Sequence, residues 1–183
     1  MKIAFLGWGS LIWCPRDLQI RGEWHRDGPF LPVEFARISG DGRLTLVLYP
    51  NANSVQVRWA YAEVNSLDKA VGNLLQREET AQCRIGFILI KENKSCCQVV
   101  PEILNEIKGW SKKKKLDAAV WTDLPSNFEE ERKKEFNGNN VIEYLKSLQG
   151  EKQQKAREYI EKAPPQIMTR MRRIIKKELG WEL

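Results

Sequence analysis

The segment that follows the first apolar stretch of the chain has the composition of a ligand-binding turn. It reads Gly7-Trp8-Gly9-Ser10-Leu11-Ile12-Trp13. Glycines let a backbone bend sharply and bring its N–H groups to a carboxylate or a carbonyl oxygen. The spacing matches neither G-x-G-x-x-G nor G-x-S-x-G, and the lysine of a phosphate-binding P-loop is missing. Two interpretations stay open, namely an anion or carbonyl cradle and a structural tight turn.

The second candidate for chemistry is the carboxylate of Glu78. Ser66 can cap a helix that runs to about Glu78, with an apolar stripe at helical spacing along it. A carboxylate at a helix C-terminus meets the negative end of the helix dipole. We therefore expect a raised pKa, and burial beneath a ligand would raise it further, toward the range of a general base. Glu79 is the alternative acid/base, and a solvated Arg-Glu-Glu surface is the non-catalytic interpretation.

Histidine and cysteine usage removes other chemistries. His25 is the one histidine, so a multi-histidine metal site is excluded, and its surroundings, GEWHRDGPF, indicate a polar loop. The four cysteines, at positions 14, 83, 96 and 97, show no C-x-x-C spacing. We expect reduced, mostly buried thiols, and we expect Cys14, which lies just beyond the loop, to pack.

The elements that must position these groups alternate between strands and helices. Period-two patterns and turn residues predict strands at Lys2–Leu6, Pro32–Ile38, Leu44–Tyr49, Val55–Val64, Cys83–Ile90, Ser95–Val100 and Asp117–Thr122. The second and third should form a hairpin through Gly40-Asp41-Gly42. Helices are predicted at Ser66–Glu78, Pro101–Lys108, Ser126–Phe136, Asn140–Leu148, Glu151–Lys162 and Gln166–Leu179. This mixture predicts one α+β domain over residues 1–183, in which 150–183 form a basic helical C-terminal extension.

The loop and the glutamate together carry a resemblance. Phe5 to Trp13 resembles the signature loop of the γ-glutamylcyclotransferase-like superfamily, closest to its ChaC-type branch, where Tyr-Gly-Ser-Leu or Tyr-Gly-Ser-Asn follows the first strand. Leu74-Leu75-Gln76-Arg77-Glu78 is similar to the family segment in which an Arg-Glu pair ends a helix. The resemblance spans roughly Met1 to Asp123. Trp8 departs from the usual tyrosine, and Thr80-Ala81 replaces a glycine-containing continuation.

The resemblance implies a fold, a reaction and a set of site residues. The fold would be a mixed, curved or barrel-like sheet surrounded by helices. The reaction would cyclise a small-molecule γ-glutamyl compound to 5-oxoproline, with release of an amine or amino acid and without a metal or other cofactor. Glu78 would be the catalytic acid/base. The implied substrate-binding residues are Gly7, Trp8, Gly9, Ser10, Leu11 and Arg37.

Two further functions stay open. The net charge is +6 and the pI about 9.2, with basic residues concentrated in Lys112–Lys115 and Arg170–Lys177, as in some nucleic-acid-binding proteins. A non-catalytic protein of the same fold that binds a small molecule is the other alternative. No apolar run reaches the roughly 18 residues of a membrane span, and glycines interrupt the apolar N-terminus. We therefore expect a soluble, cytoplasmic protein.

Overall fold

The computed structural model describes residues 1–182 and confirms the α+β class. The described residues form nine strands: β1 (Ile3–Gly7), β2 (Ile20–His25), β3 (Phe30–Ile38), β4 (Leu44–Leu48), β5 (Ser54–Gln56), β6 (Arg58–Ala62), β7 (Ile85–Leu89), β8 (Lys94–Cys96) and β9 (Ala118–Thr122). The helices are α1 (Leu67–Glu78), α2 (Pro101–Lys113), α3 (Phe128–Arg132), α4 (Gly138–Ser147), α5 (Gly150–Lys162) and α6 (Arg170–Leu179), with a 3-10 turn at Gln82–Arg84.

The chain divides into two compact units. The first unit contains Met1–Leu31 and Gln56–Leu124, and the second unit contains Pro32–Val55 and the chain from Pro125 onward. Each unit therefore consists of two chain segments. The predicted extension 150–183 supplies α5 and α6 of the second unit.

The first unit is built on a mixed six-stranded sheet with the order β2-β6-β1-β9-β7-β8. Strand β1 pairs in parallel with β9 and antiparallel with β6. Side chains alternate between the two faces of a strand. Ile3 and Phe5 consequently face α1, in a core shared with Leu74. On the other face Trp59 packs against Trp110 of α2, with ring centroids 5.4 Å apart.

The second unit contains the three-stranded sheet β4-β3-β5 and the four C-terminal helices. Strands β3 and β4 form the predicted hairpin, which is confirmed by the pairing of Ile38 with Leu44. Helix α4 is tied to the turn of this hairpin, because the Tyr144 hydroxyl donates to the carbonyl of Gly42 at 2.6 Å. Helix α5 adds Tyr159, which meets Phe35 edge to face at 6.4 Å.

One predicted strand is wrong. The alternation of Val55–Val64 runs through two strands, β5 and β6, which belong to different sheets. Val57 lies between them, and its N–H donates to the carbonyl of Pro29 at 3.0 Å. The alternation is not interrupted there, so the sequence pattern does not reveal that the chain changes sheet.

Several predicted element ends are also wrong. Helix α3 is shorter than the predicted Ser126–Phe136: it begins after Asn127 without a side-chain cap and ends at Arg132, and Glu129 accepts from the N–H of Phe136. Helix α4 is capped by Asn137 and not by Asn140. Helix α2 continues to Lys113, beyond the predicted end at Lys108.

Arg172 belongs to the basic segment Arg170–Lys177, but it is fully buried. Helix α6 begins later than predicted, because Thr169 caps it by accepting from the N–H of Arg172 at 3.2 Å. The guanidinium of Arg172 turns back and donates to the carbonyls of Ala163 and Pro164 at 2.6 and 2.7 Å. The pKa of this arginine is lowered by burial. Its role is to satisfy carbonyls at the end of α5.

The cysteines also differ from the expectation. Cys14, Cys83 and Cys96 are exposed and Cys97 is partly buried, so the prediction of mostly buried thiols is wrong. Burial and the neighbouring charge of Asp123 raise the pKa of the Cys97 thiol. Among residues 1–182, no helix is long and apolar enough to cross a membrane.

Candidate functional site

The loop after β1 is a tight turn whose own carbonyls close it. The carbonyl of Gly9 accepts from the N–H of Ile12 at 3.0 Å, and the carbonyl of Ser10 accepts from the N–H of Cys14 at 2.8 Å. Within the part of the chain that the structure describes, the N–H groups of Gly9, Ser10 and Leu11 donate no hydrogen bond. These three donors are the groups that a carboxylate or an oxyanion would use.

Close packing fixes the two ends of this loop. Trp8 and Leu11 are buried, and Ser10 is partly exposed between them. A Cβ at Gly7 would lie 2.6 Å from Cζ3 of Trp24, so only glycine fits beneath this indole ring. Leu11 belongs to the core that also includes Phe5. The loop is thus held by the same core that holds the strand.

Helix α1 brings the predicted glutamate to the same end of the sheet. The Ser66 hydroxyl accepts from the N–H of Lys69, as predicted, and the helix ends at Glu78. Glu79 then adopts a left-handed conformation with φ 50°, and its N–H donates to the carbonyl of Gln76 at 3.2 Å. The chain continues into β7, which starts beside the last residue of β9. Because β9 is parallel to β1, that end is also where the loop begins.

One buried arginine connects the loop and the glutamate. The Arg77 side chain is 7% exposed, and its Nη1 donates to Oε1 of Glu78 at 2.6 Å. Its Nη2 donates to the carbonyl of Cys14 at 2.6 Å and to Oγ of Ser10 at 3.2 Å. The structure therefore brings Ser10 and Glu78 together around one guanidinium. The sequence predicts both as site residues, although they belong to separate segments of the chain.

The two adjacent glutamates lie in different surroundings. The Glu78 side chain is 16% exposed and belongs to the Arg77 network, whereas the Glu79 side chain is 78% exposed. Glu79 pairs with the exposed Arg16 at 2.9 Å. An ion pair with an arginine favours the ionised form of a carboxylate, which is the form that accepts a proton. The burial and the contacts both favour Glu78 as the carboxylate of the site.

Arg37 lies in the second unit, and the loop and Glu78 lie in the first. Its guanidinium donates to the carbonyl of Pro125 at 2.9 Å. The neighbouring residue Ile38 exchanges hydrogen bonds with the side chain of Asn127. These bonds tie β3 to the segment that leads into α3.

His25 and Cys14 also have surroundings other than those expected. His25 ends a strand instead of lying in a loop, and its ring stacks on Trp59 with centroids 4.5 Å apart. Trp59 belongs to the face of the sheet that packs against α2, opposite the face that carries α1. Cys14 is exposed rather than packed, and its contribution to the site is its carbonyl group.

Asp123 is a further carboxylate at this end of the sheet. It directly follows β9, it is 5% exposed, and burial raises the pKa of its carboxyl group. Its Oδ2 accepts from the N–H of Gln98, while its own N–H donates to the carbonyl of Arg84 at 2.7 Å. These bonds connect the ends of β7, β8 and β9.

The sequence offered no role for Arg77 beyond its place in the Arg-Glu pair. A signal was present, because Arg77 lies three residues after Leu74 on the apolar side of α1, where an arginine is unusual unless it is paired. Within residues 1–182, no group of three or more His, Cys, Asp or Glu side chains could hold a metal ion. Of the lysine run at 112–115, Lys114 forms an ion pair with Asp27.

Comparisons with protein-family models, with curated proteins and with solved structures gave no match for this chain.

Proposed function

We propose that the protein is a γ-glutamylcyclotransferase-like enzyme that converts a γ-glutamyl compound to 5-oxoproline and releases an amine or amino acid. The observation that carries this proposal is the Arg77 bridge, which joins Ser10 of the loop to Glu78. The finer fold assignment, a curved or barrel-like sheet of this family, belongs to the same proposal. It is supported by the mixed sheet, whose first strand leads directly into the loop.

The reaction needs a base and an acid at neighbouring positions of the substrate. The α-amine attacks the γ-carbonyl carbon, a new C–N bond closes the five-membered ring, and the original amide C–N bond breaks. Glu78 takes the proton that the attacking nitrogen loses and gives a proton to the departing nitrogen. General acid–base catalysis of this kind contributes about 10²–10⁴-fold. The ion pair with Arg77 supplies Glu78 in the ionised form at the start.

The loop would act on the carbonyl group. As the amine attacks, the carbonyl oxygen gains negative charge, and the N–H groups of Gly9, Ser10 and Leu11 are donors without an acceptor in the described chain. Each well-placed donor contributes on the order of 10²-fold or more. Trp8, in place of the usual tyrosine, is buried and supplies no phenolic hydroxyl. The proposed chemistry therefore relies on backbone donors and Glu78.

The test is 5-oxoproline release from a panel of glutathione, γ-glutamyl amino acids and γ-glutamyl amines. The native protein is compared with Glu78→Gln, which keeps the size of the side chain but removes its basicity. Glu79→Gln is the matched control, because Glu79 is adjacent but exposed and paired with Arg16. We expect Glu78→Gln to lower kcat by about 10²-fold or more. Glu79→Gln should stay within about twofold of the native rate.

Other outcomes would change the assignment in defined ways. A loss in Glu79→Gln and not in Glu78→Gln would move the acid/base role by one residue. If the folded native protein released 5-oxoproline from no member of the panel, cyclisation of these compounds would be refuted. Binding of the same compounds without turnover would then identify a non-catalytic small-molecule-binding protein.

A further inference from the structure

Arg58 begins β6 directly beside the loop. Its Cα is the register partner of Gly7, the last residue of β1. Directly opposed residues of two antiparallel strands point to the same face of the sheet. Two positions further along β6, Ala60 is the partner of Phe5, and Ala62 belongs to the core that contacts α1. Arg58 therefore lies on the α1 face, at the end of the sheet where the loop starts.

The charge of Arg58 has no counter-ion in the described chain. Within residues 1–182 this side chain forms no ion pair, and its Nε is buried without a hydrogen-bond partner. The pKa of the guanidinium is lowered by burial and by the neighbouring charge of Arg26. A desolvated cation that meets another cation is unfavourable unless an anion compensates it. Arg58 thus offers a positive charge that an anion could compensate.

Trp24 forms a wall next to the same corner. The benzo edge of its indole lies against Gly7, with Cζ3 and Cη2 at 2.6 and 2.8 Å from a Cβ built on that glycine. The Nε1 atom lies on the other edge of the ring, and it too is buried without a partner. An aromatic wall near a partly buried arginine favours the binding of a carboxylate, because water screens the charge less there than at an exposed surface.

We propose that Arg58 binds the carboxylate of the ligand that the Gly9–Leu11 loop holds. The proposal rests on the proposed function and adds to it the residue that recognises the α-carboxylate of the γ-glutamyl group. Arg58 then makes the site prefer this carboxylate over the corresponding amide or ester. The product 5-oxoproline keeps this carboxylate, so the product binds through the same arginine. Glu78 transfers the proton, whereas Arg58 positions the glutamyl end of the ligand.

The test measures binding and does not require turnover. Calorimetric titration with 5-oxoproline and with 5-oxoproline amide compares two ligands that differ only in the carboxylate. We expect the native protein to prefer the acid by about 10-fold or more, as for a hydrogen-bonded charged group. In Arg58→Gln that preference should disappear through weaker binding of the acid, while binding of the amide stays the same. Arg58→Lys, which keeps the charge, should retain part of the preference for the acid.

The control is Arg21→Gln, in an arginine whose guanidinium lies over the ring of Tyr61, 5.1 Å from its centroid. Tyr61 is on the opposite face of β6 from Arg58, so the preference for the acid should remain. The same titrations in Glu78→Gln separate the two proposals. If the native protein prefers the acid over the amide but releases no 5-oxoproline from the panel, the Arg58 site is retained and cyclisation is refuted. Three results would overturn the Arg58 site. They are turnover by a native protein that binds acid and amide equally, an unchanged preference for the acid in folded Arg58→Gln, and no binding of either ligand.

Discussion

The guanidinium of Arg77 has two nitrogens committed to different parts of the first unit. Nη1 holds Glu78, and Nη2 holds the loop through Ser10 and the carbonyl of Cys14. A planar fork with several fixed donors can make such contacts at the same time, and a lysine ammonium on a flexible chain is a point charge without this geometry. Arg77 is therefore a positioning residue of the proposed reaction. It acts on the groups that would touch the substrate.

We expect Arg77→Lys to lower kcat/KM for 5-oxoproline release by about 10- to 100-fold, because at least one charge-assisted hydrogen bond is lost. Arg77→Met also removes the charge that favours the ionised form of Glu78. In that variant the acid limb of the pH–rate profile should move to higher pH. Profiles of both variants provide the measurement, and circular dichroism checks that they fold.

Arg16→Lys is the matched control for Arg77→Lys, because Arg16 is exposed and pairs with the exposed Glu79 instead of Glu78. It should leave both the rate and the profile as they are in the native protein. A folded Arg77→Met variant with an unchanged pH profile would show that Arg77 only supports the structure and does not prepare Glu78.

At the scale of elements, local signals predicted α1 well. Its cap at Ser66, its apolar stripe and its end at Glu78 all belong to one continuous segment and are confirmed. Strand β2 was missed, because IRGEWH has one partly buried side at the sheet edge and no clean alternation. The change of sheet at Val57 was missed for a different reason. It depends on a bond to the distant Pro29, which no local pattern contains.

Strands β7 and β9 show how a glycine can be required by a partner strand. Gly86 is paired with Trp121, and a Cβ at Gly86 would lie 2.3 Å from Cε2 of that ring. Trp121 is fully buried, so it has little room to move. We expect Gly86→Ala to lower the free energy of unfolding by about 1–3 kcal/mol, as overpacking in a core does. Urea unfolding followed by tryptophan fluorescence would measure this change.

Gly72→Ala is the comparison for that variant, since it makes the same chemical change in α1. No heavy atom lies within 4 Å of a Cβ at Gly72, and the residue is exposed. Alanine should therefore raise the free energy of unfolding by about 0.5–1 kcal/mol through helix propensity. A Gly86→Ala variant as stable as the native protein would contradict the prediction, because it would show that the Trp121 ring can shift to make room for the added methyl group.

At the scale of the whole molecule, the chain alternates between units, and hydrophobic patterning does not reveal this. Residues 32–55 leave the first unit, and the sequence returns to the second unit only from Pro125. The basic composition of Arg170–Lys177 does not predict the burial of Arg172, because helical periodicity gives the direction of a side chain around the helix axis and not the carbonyls that lie near it. The resemblance indicates the loop and Glu78 as candidate site residues, whereas the position of Arg58 beside the loop follows only from the strand register.

The second unit contains a buried carboxylate that should make stability depend on pH. Glu34 is 3% exposed in β3, and its two oxygens accept from the N–H groups of Phe35 and Met171, the latter in the first turn of α6. Burial raises the pKa of Glu34 above its ordinary value of 4.5, although these hydrogen bonds oppose the shift. The folded state therefore holds this proton more strongly than the unfolded state does.

The sign of the pH dependence follows from that difference. Between about pH 4.5 and the raised pKa, the folded state binds more protons, so the contribution of Glu34 to the free energy of unfolding falls as the pH rises. Glu34→Gln removes this slope. It also places an amide N–H against a backbone N–H, which adds a pH-independent cost of about 1–3 kcal/mol to the pH-dependent one. Urea unfolding at several pH values should show the cost of the substitution shrinking as the pH increases.

Glu143→Gln provides a control of opposite sign. Lys134 lowers the pKa of Glu143 through a hydrogen bond to its side chain, so that the native contribution is present above the unfolded pKa and is lost as the pH falls. The cost of Glu143→Gln in unfolding free energy should therefore grow as the pH rises. The growth should be slight, because the pair is exposed and solvent screens its charges. Parallel stability curves for the native protein and Glu34→Gln across this range would mean that Glu34 titrates alike in the folded and unfolded chains. The hydrogen bonds from the Thr169 side chain and from the backbone would then fully offset the effect of burial on its pKa.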